Sequence, residues 1–372
     1  MGPKTTDNRR GAAIVLGLAV VSLLLLAPSA HARSTFVGHL HQEVALASTV
    51  PANGDINPYG VAVVPRTVGN LVRDHILVSN FNDAANAQGT GTTIVDVAPD
   101  GTATLFAQID ASTLPGPCPG GVGLTTALIV LRRGFVIVGS LPTSDGTSAT
   151  MQAGCLLVLD STGHVVETFS GGAINGPWDM TALDKGDSAL LFVTNVLNGP
   201  VAGSPSTTEI DQGTVVRITL ALDPDAGPRM IAETVIGSGF AERTDPAALV
   251  VGPTGVGLAA DGTLYIADTV ASRIAAIARA IERRSSAGRG DDVSVGGALN
   301  GPLGLAIAPN GDILTANGGD GNLVEITPGG VQTALTVNAN GGGSLFGLAV
   351  ASKQRGLYFV DDVANALDFL HR

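Results

Sequence analysis

Short apolar runs alternate with turn residues along almost the whole chain. The pattern is sharpest from Gly252 to Thr269, where VGLA (Val256 to Ala259) and TLYIA (Thr263 to Ala267) flank an Asp261-Gly262 pair. An Asp-Gly pair between two apolar runs predicts a tight hairpin. Thr263, Tyr265 and Ala267 alternate with Leu264 and Ile266, as a pleated strand requires.

The hairpin recurs. Aligned on it, the chain divides into six units: residues 57–65 with 74–80, 122–131 with 134–140, 175–183 with 189–195, the stretch above, 300–317, and 344–362. Most pairs continue as two more strands, such as TTIVDV with TATLFAQ after the first and NLVEIT with VQTALTV after the fifth. Four antiparallel strands repeating every 40–50 residues or so predict propeller blades. The fold class expected is therefore all-β, a six-bladed β-propeller of four-stranded antiparallel blades. Unit six supplies only three strands, GLAVA, GLYFV and NALDFL, before the chain ends. The stretch Thr35 to Thr49 belongs to no repeat and is expected to add the missing outer strand, closing the ring and removing an exposed edge. Ser272 to Arg284 is Ala-rich enough for a helix, but the repeat places Arg273 to Ala278 in a third strand, and tertiary context overrides weak propensity.

The composition agrees with many turns between short strands: 50 Gly and 20 Pro in 372 residues. Met1 to Ala32 stands apart. Lys4, Arg9 and Arg10 precede an apolar run from Gly11 to Ala27, and Ala30 and Ala32 supply small residues for cleavage. The expected organisation is a signal peptide, 1–32, and one propeller domain, 33–372, with periplasmic or secreted localisation. An uncleaved anchor is the alternative. Loss of the segment leaves 17 Lys/Arg against 31 Asp/Glu, a net charge of −14. So acidic a surface argues against nucleic acid and against anionic membranes as partners. The expected state is a monomer meeting a small molecule or protein.

Blade geometry puts the starts of the first strands, the ends of the second and the second-to-third loops on one rim. The loops Asn80 to Gly91, Ser140 to Gly154 and Leu197 to Gly213 are long, and predict a wall beside the channel or tolerated surface insertions. Two registers face that rim. The first, just before the first-strand glycine, holds Tyr59, Trp178, Thr254, Leu303 and Phe346, with Asp179 beside Trp178. These are the candidate ligand-binding residues of a channel mouth, or else a core plug. The second ends the second strands: Asn80, Ser140, Asn195, Asp268, Asn317 and Asp361. Recurrence in every blade predicts structural ties joining the second strand to the third. An oxygen-rich cation site, Ca²⁺ or another divalent ion on Asn82, Asp179 and Asp268, is the functional alternative. Cys118 and Cys155 fall on the same rim, which in an exported protein favours a disulfide over two buried thiols.

At its P-x-G-h-A-h strand, D/N-G turn and h-A-D ending, Pro253 to Asp268, the chain resembles the NHL-repeat proteins and, more distantly, gluconolactonase/regucalcin-like propellers. The resemblance implies fold, and implies function only weakly, since NHL-type propellers serve as ligand-binding modules, sensors and a few enzymes. Gluconolactonase-like propellers hold a divalent cation on Glu, Asn and Asp near the first-strand start, where this chain has Tyr59, Thr254, Leu303 and Phe346. Related amidating lyases use zinc-binding histidines, and the six His here, His39 and His41 included, show no ligand-spaced cluster. The expected function is an exported, non-catalytic binding module. A metal-dependent lactonase-like hydrolase is the alternative.

Overall fold

The computed structural model describes residues 1–6, 35–198, 208–223, 227–337 and 341–372. The chain divides into Met1–Ser34 and Thr35–Arg372. The expected signal segment falls largely on 7–34, outside the described residues. The second unit is an all-β propeller of six antiparallel sheets.

Blade one comprises Ile56–Val63, Ile76–Asn82, Thr93–Val97 and Ala103–Gln108. Blade two comprises Leu124–Val130, Val136–Ser140, Cys155–Leu159 and Val165–Phe169. Blade four comprises Pro253–Leu258, Leu264–Asp268, Arg273–Ile277 and Asp291–Val295. Blade five comprises Pro302–Ile307, Ile313–Asn317, Asn322–Ile326 and Gln332–Thr336. The Ala-rich stretch is thus a strand at Arg273–Ile277. Each first strand packs against that of the next blade, from blade one round to blade six and back. Inner strands are buried on both sides, whereas outer ones such as Ala103–Gln108 face solvent.

Blade six takes Leu345–Val350, Gly356–Asp361 and Ala366–His371 from the C-terminus and its outer strand, Gln42–Ser48, from the N-terminus. The closing segment is held at a second point. Glu325 of blade five accepts the backbone N–H groups of Phe36 and Val37, each at 2.8 Å. Phe36, Val37 and Leu40 bury their side chains between blades five and six. Closure therefore rests on a ladder, a carboxylate and an apolar anchor together.

Blade three departs from the pattern. After Gly176–Asp184 and Ser188–Val196, its outer strands run long, Ile210–Asp223 and Gly227–Asp245. A fifth strand, Leu249–Val251, pairs back onto Arg243–Asp245. The loop expected from Leu197 to Gly213 is shorter than the sequence suggested, because Ile210 to Gly213 already pairs with Phe240 to Glu242. Residues 199–207 of it lie outside the described residues.

All six first strands share one irregularity. Their register with the second strand shifts just after Pro58, Leu124, Pro177, Pro253, Pro302 and Leu345. A bulge bends its strand and re-aims side chains. Here it falls on the P-x-G motif, whose glycine has a steric reason. A Cβ on Gly255 would lie 2.1 Å from the carbonyl oxygen of Leu303, one on Gly304 2.0 Å from that of Phe346, and one on Gly347 2.2 Å from that of Tyr59.

Glu325→Ala leaves two buried N–H groups without an acceptor and is expected to lower stability by on the order of 2–3 kcal/mol in chemical denaturation. An unchanged denaturation midpoint would show that the ladder alone closes the ring.

Candidate functional site

The aromatic register is packed core at the rim end of the axis. Tyr59 stacks on Phe346 at 3.9 Å and on Phe81 at 4.4 Å between ring centroids, and Trp178 lies 6.2 Å from Tyr59. Tyr59, Trp178, Leu303 and Phe346 are all buried. The short strand of blade three folds over them: Ala248 to Val251 joins the same cluster, and Trp178 Nε1 donates to the Val250 carbonyl at 3.0 Å. Leu249 holds a left-handed φ of 59° in this turn, a conformation costly for a bulky side chain. Of the two readings of this register, a channel mouth or a core plug, the plug is the one seen: the aromatics and this segment fill the axis at the rim end. Thr254, the polar member of that register, is also turned inward, its Oγ1 donating to the Pro302 carbonyl at 3.1 Å. Nothing in DPAALVV, Asp245 to Val251, marks it as a covering segment, since it reads equally well as a plain connection into blade four.

The second register does form ties, and they run both ways. Asn80 Nδ2 donates to the Thr49 carbonyl at 2.9 Å, Ser140 Oγ to that of Gly121 at 2.9 Å, and Asn317 Nδ2 to that of Ala298 at 2.8 Å. Asn195 Oδ1 accepts from Asn175 N at 3.2 Å. Each anchors the segment that enters its own blade. The expected forward links are also made: Asn80 Nδ2 donates to Thr93 Oγ1 of the third strand at 3.2 Å, Asn317 Nδ2 to Asp320 at 3.1 Å, and Asp268 and Asp361 bond forward as well. Asp268 accepts from Arg273 Nε at 2.7 Å inside blade four, and Asp361 accepts from Ala364 N at 3.0 Å. Arg273 also reaches Asp292 and the Arg289 carbonyl. Burial raises the Asp268 carboxyl above its usual range and Arg273 opposes that rise.

The three candidate cation ligands do not meet. Asp268 is committed to Arg273, Asp179 faces the axis, and Asn82 lies on the rim against Asn86. Among the described residues, no three His, Cys, Asp or Glu side chains gather where a metal would need them. As a donor set for a divalent ion, Asn82, Asp179 and Asp268 do not fit. His39 and His41 belong to the closing segment, away from the axis. Cys118 and Cys155 are joined as a disulfide whose Cα atoms are 5.2 Å apart. It links the entry of blade two to the start of that blade's third strand.

Several cavities remain among the described residues. A cavity of 300 Å³ beside the covering segment is lined by Leu303 and Phe346 together with Arg243, Asp245, Thr269 and Asn300. Two others hold the polar groups of most interest. One, of 310 Å³, opens on the rim between blades one and six. Its lining is almost wholly amide and carboxyl: Asn57, Asn82, Asn86, Gln88, Asp362 and Asn365. Three of these asparagines hold left-handed backbone, φ 64° at Asn57, 62° at Asn86 and 50° at Asn365. Asn365 Oδ1 accepts from Asn57 N at 2.7 Å, and Asn82 Nδ2 donates to Asn86 Oδ1 at 2.6 Å. With its nitrogen toward the Asp362 carboxyl, the Asn57 amide also accepts from Asn82 Nδ2 at 3.0 Å. Gln88 donates to the Pro246 carbonyl, and its buried Oε1 has no partner. Burial, with Asp361 adjacent, pushes the Asp362 carboxyl up to about 7. Of this group only Asn82 stands out in the sequence. Asp362 sits one residue past the tie register, and a single asparagine before a proline, as at Asn57, reads as a turn residue.

The other cavity, of 360 Å³, is the axial channel itself, open on the face opposite the long loops. At its inner end, where four blades carry the bulge glycine, blades two and three carry Thr126 and Asp179. Asp179 Oδ1 accepts from Met180 N at 2.7 Å and Oδ2 from Val256 N at 3.2 Å. Burial pushes its carboxyl up to about 8, and the two backbone bonds only partly offset this.

No family model matches the chain, and no curated protein matches it in sequence. Solved structures resemble it in fold. A gluconolactonase from Xanthomonas campestris superposes with a TM-score of 0.54 at 15% identity, over 88% of this chain and 89% of that one. A streptogramin B lyase gives 0.51 at 14%, over 91% and 99%. The PQQ-bound aldose sugar dehydrogenase of Streptomyces coelicolor gives 0.53 at 16%, over 89% and 98%. At such identities the likeness is one of fold alone, and it spans proteins named for three different chemistries.

The pH dependence of stability follows from the buried acids. Asp179 holds its proton up to about pH 8 in the fold but loses it near 4 when unfolded, so its stabilising effect is complete below pH 4 and lost as pH rises through 8. Denaturation midpoints are expected to fall from pH 5 to pH 8, by at most about 1.4 kcal/mol per pH unit for this one group. Asp179→Asn should flatten the curve between pH 7 and 8, above the values near 7 of Glu242, Asp362 and Asp368. A variant curve parallel to that of the wild type would place the raised carboxyl elsewhere.

Proposed function

We propose that this chain is an exported NHL-type propeller that binds a neutral, polyhydroxylated small molecule, such as a sugar, in the rim pocket between blades one and six. The observation that carries this reading is the lining of that pocket: five side-chain amides and one carboxyl, with no basic residue among them. Amides offer donors and acceptors side by side, which suits hydroxyl groups that both give and take hydrogen bonds. Without a Lys, Arg or His, the pocket offers nothing to neutralise a phosphate or carboxylate ligand. Left-handed backbone at three lining asparagines, a conformation asparagine adopts readily, shapes the pocket wall. The wall of loops from blades one and two supplies Asn86 and Gln88, so binding sits on loops held by a rigid scaffold. Export through the N-terminal segment and a monomeric state belong to the same proposal.

A lactonase-like hydrolase is the second reading. It draws on the likeness in fold to a gluconolactonase and on the oxygen-rich character of the same pocket, where Asp362 and neighbouring amide oxygens are ligands of the type a Ca²⁺ ion prefers. Its original donor set is dispersed, so no catalytic step is assigned to it.

Isothermal titration of the mature chain with a panel of neutral monosaccharides and cyclitols is expected to give saturable one-to-one binding for at least one of them. Asn82→Ala and Asp362→Ala should each weaken it about tenfold, the usual cost of one lost hydrogen bond in a site. Failure of the whole panel to bind would overturn the proposal. Hydrolysis of a sugar lactone that requires added Ca²⁺, Zn²⁺ or Mn²⁺ would replace it with the catalytic reading.

A further inference from the structure

The axial channel is built unlike the rest of the interior. Val61, Leu128, Met180, Val256, Leu305 and Leu348, one residue from each blade, form an apolar ring next to its inner end. Beyond that ring lie Thr126 and Asp179, both more than nine-tenths buried. The aromatic stack and the Leu249–Val251 strand close the axis behind them. The channel is thus a blind tube with aliphatic side chains around its neck, Thr181 and Asp184 farther out and Thr126 and Asp179 at its floor.

The floor holds a donor without a partner. Thr126 Oγ1 is buried and has no hydrogen-bond partner. Both carboxyl oxygens of Asp179 already accept a backbone N–H. The unmet donor is the hydroxyl proton of Thr126, joined when the acid is neutral by that of Asp179, while lone pairs also remain on these oxygens. A buried donor left unpaired costs about 1–3 kcal/mol, so a ligand that supplies the acceptor recovers that loss on binding.

We propose that the channel, entered from the face opposite the long loops, binds a neutral aliphatic molecule with a carbonyl head, the head at Thr126 and Asp179 and the tail along the first strands. A carbonyl oxygen has two lone pairs and no proton, which complements a floor offering protons. The cavity of 360 Å³ lies at the lower end of the range for small-ligand pockets. Burial keeps the Asp179 carboxyl protonated up to about pH 8, and in a neutral site a donated hydrogen bond replaces an ion pair. Asp179 and Asp184 are the titratable residues lining the channel. Asp184 lies toward the open end, where its carboxylate accepts from Arg132 N and Gly186 N. This site is separate from the rim pocket, and the two proposals stand or fall independently.

The test titrates the mature chain with 2-alkanones from five to eleven carbons, followed by calorimetry and by tryptophan emission. Trp178 is the sole tryptophan and the immediate neighbour of Asp179, so its emission reports on the floor. The expected result is one-to-one binding that tightens about fourfold per added methylene until the tube is full. It should weaken about tenfold per pH unit above pH 8, as the acid ionises. Thr126→Val keeps the shape and removes a hydroxyl that bonds to nothing, so it should leave the melting temperature intact or raised while weakening the ketone five- to tenfold. Three results would overturn the proposal: no saturable binding, equal affinity in the folded Thr126→Val protein, or tighter binding of n-nonylamine than of 2-nonanone at pH 7.

Discussion

The close approach of six first strands around one axis governs the rest of this structure. Where Gly255, Gly304 and Gly347 pass the neighbouring carbonyl, the space left would not hold a methyl group. Strands so close cannot all keep regular pairing with their own second strands, and the bulge at each P-x-G motif absorbs the mismatch. The bulge frees backbone groups that must then be satisfied. In blade one Ser79 accepts from Gly60 N and donates to the Thr125 carbonyl of blade two; in blade three Thr194 accepts from Asp179 N and donates to the Thr254 carbonyl of blade four. Small hydroxyl side chains thereby couple one blade to the next at the most crowded level of the ring.

The same constraint makes the two ends of the axis different. The residue before the bulge glycine turns toward the rim, and where it is aromatic the rings meet and stack. That fills the rim end with Tyr59, Trp178 and Phe346, and the covering strand of blade three adds Val250 as acceptor for the indole N–H. Residues after the glycine are smaller and aliphatic, and they leave the opposite end open. Open space is consequently found beside the aromatic plug and in a polar pocket at a blade junction on the rim, and in the axial tube on the opposite face.

How much of this the sequence disclosed follows from what repeats. Six copies of a hairpin, each with its Asp-Gly, Asn-Gly or related turn, define the blades, and Thr35 to Thr49 is left over as the closing strand, as the pairing of Gln42–Ser48 with Ala366–His371 confirms. Alternation carries that information because it is local. The site is not local. Asn57, Asn82, Asp362 and Asn365 come from opposite ends of the chain and meet only because the ring closes between blades six and one. Tyr59, Trp178 and Phe346 share one register of the repeat, yet what covers that level is a strand in blade three with no counterpart among the described residues of other blades.

Asp179 condenses the point. In the repeat its position belongs to glycine, and the substitution places a carboxyl where close packing ordinarily excludes any side chain. The chain accommodates it by letting the carboxyl bond to Val256 N, so the acid bridges the first strands of blades three and four. That bridge alone would explain a serine or asparagine at lower desolvation cost, since a neutral side chain can accept from an N–H without resisting ionisation. It does not explain Thr126, at the same level of the adjacent blade, whose hydroxyl is buried and bonds to nothing within the protein. Two polar departures from the repeat, side by side and facing one cavity, are better accounted for by something that enters the cavity than by the demands of packing.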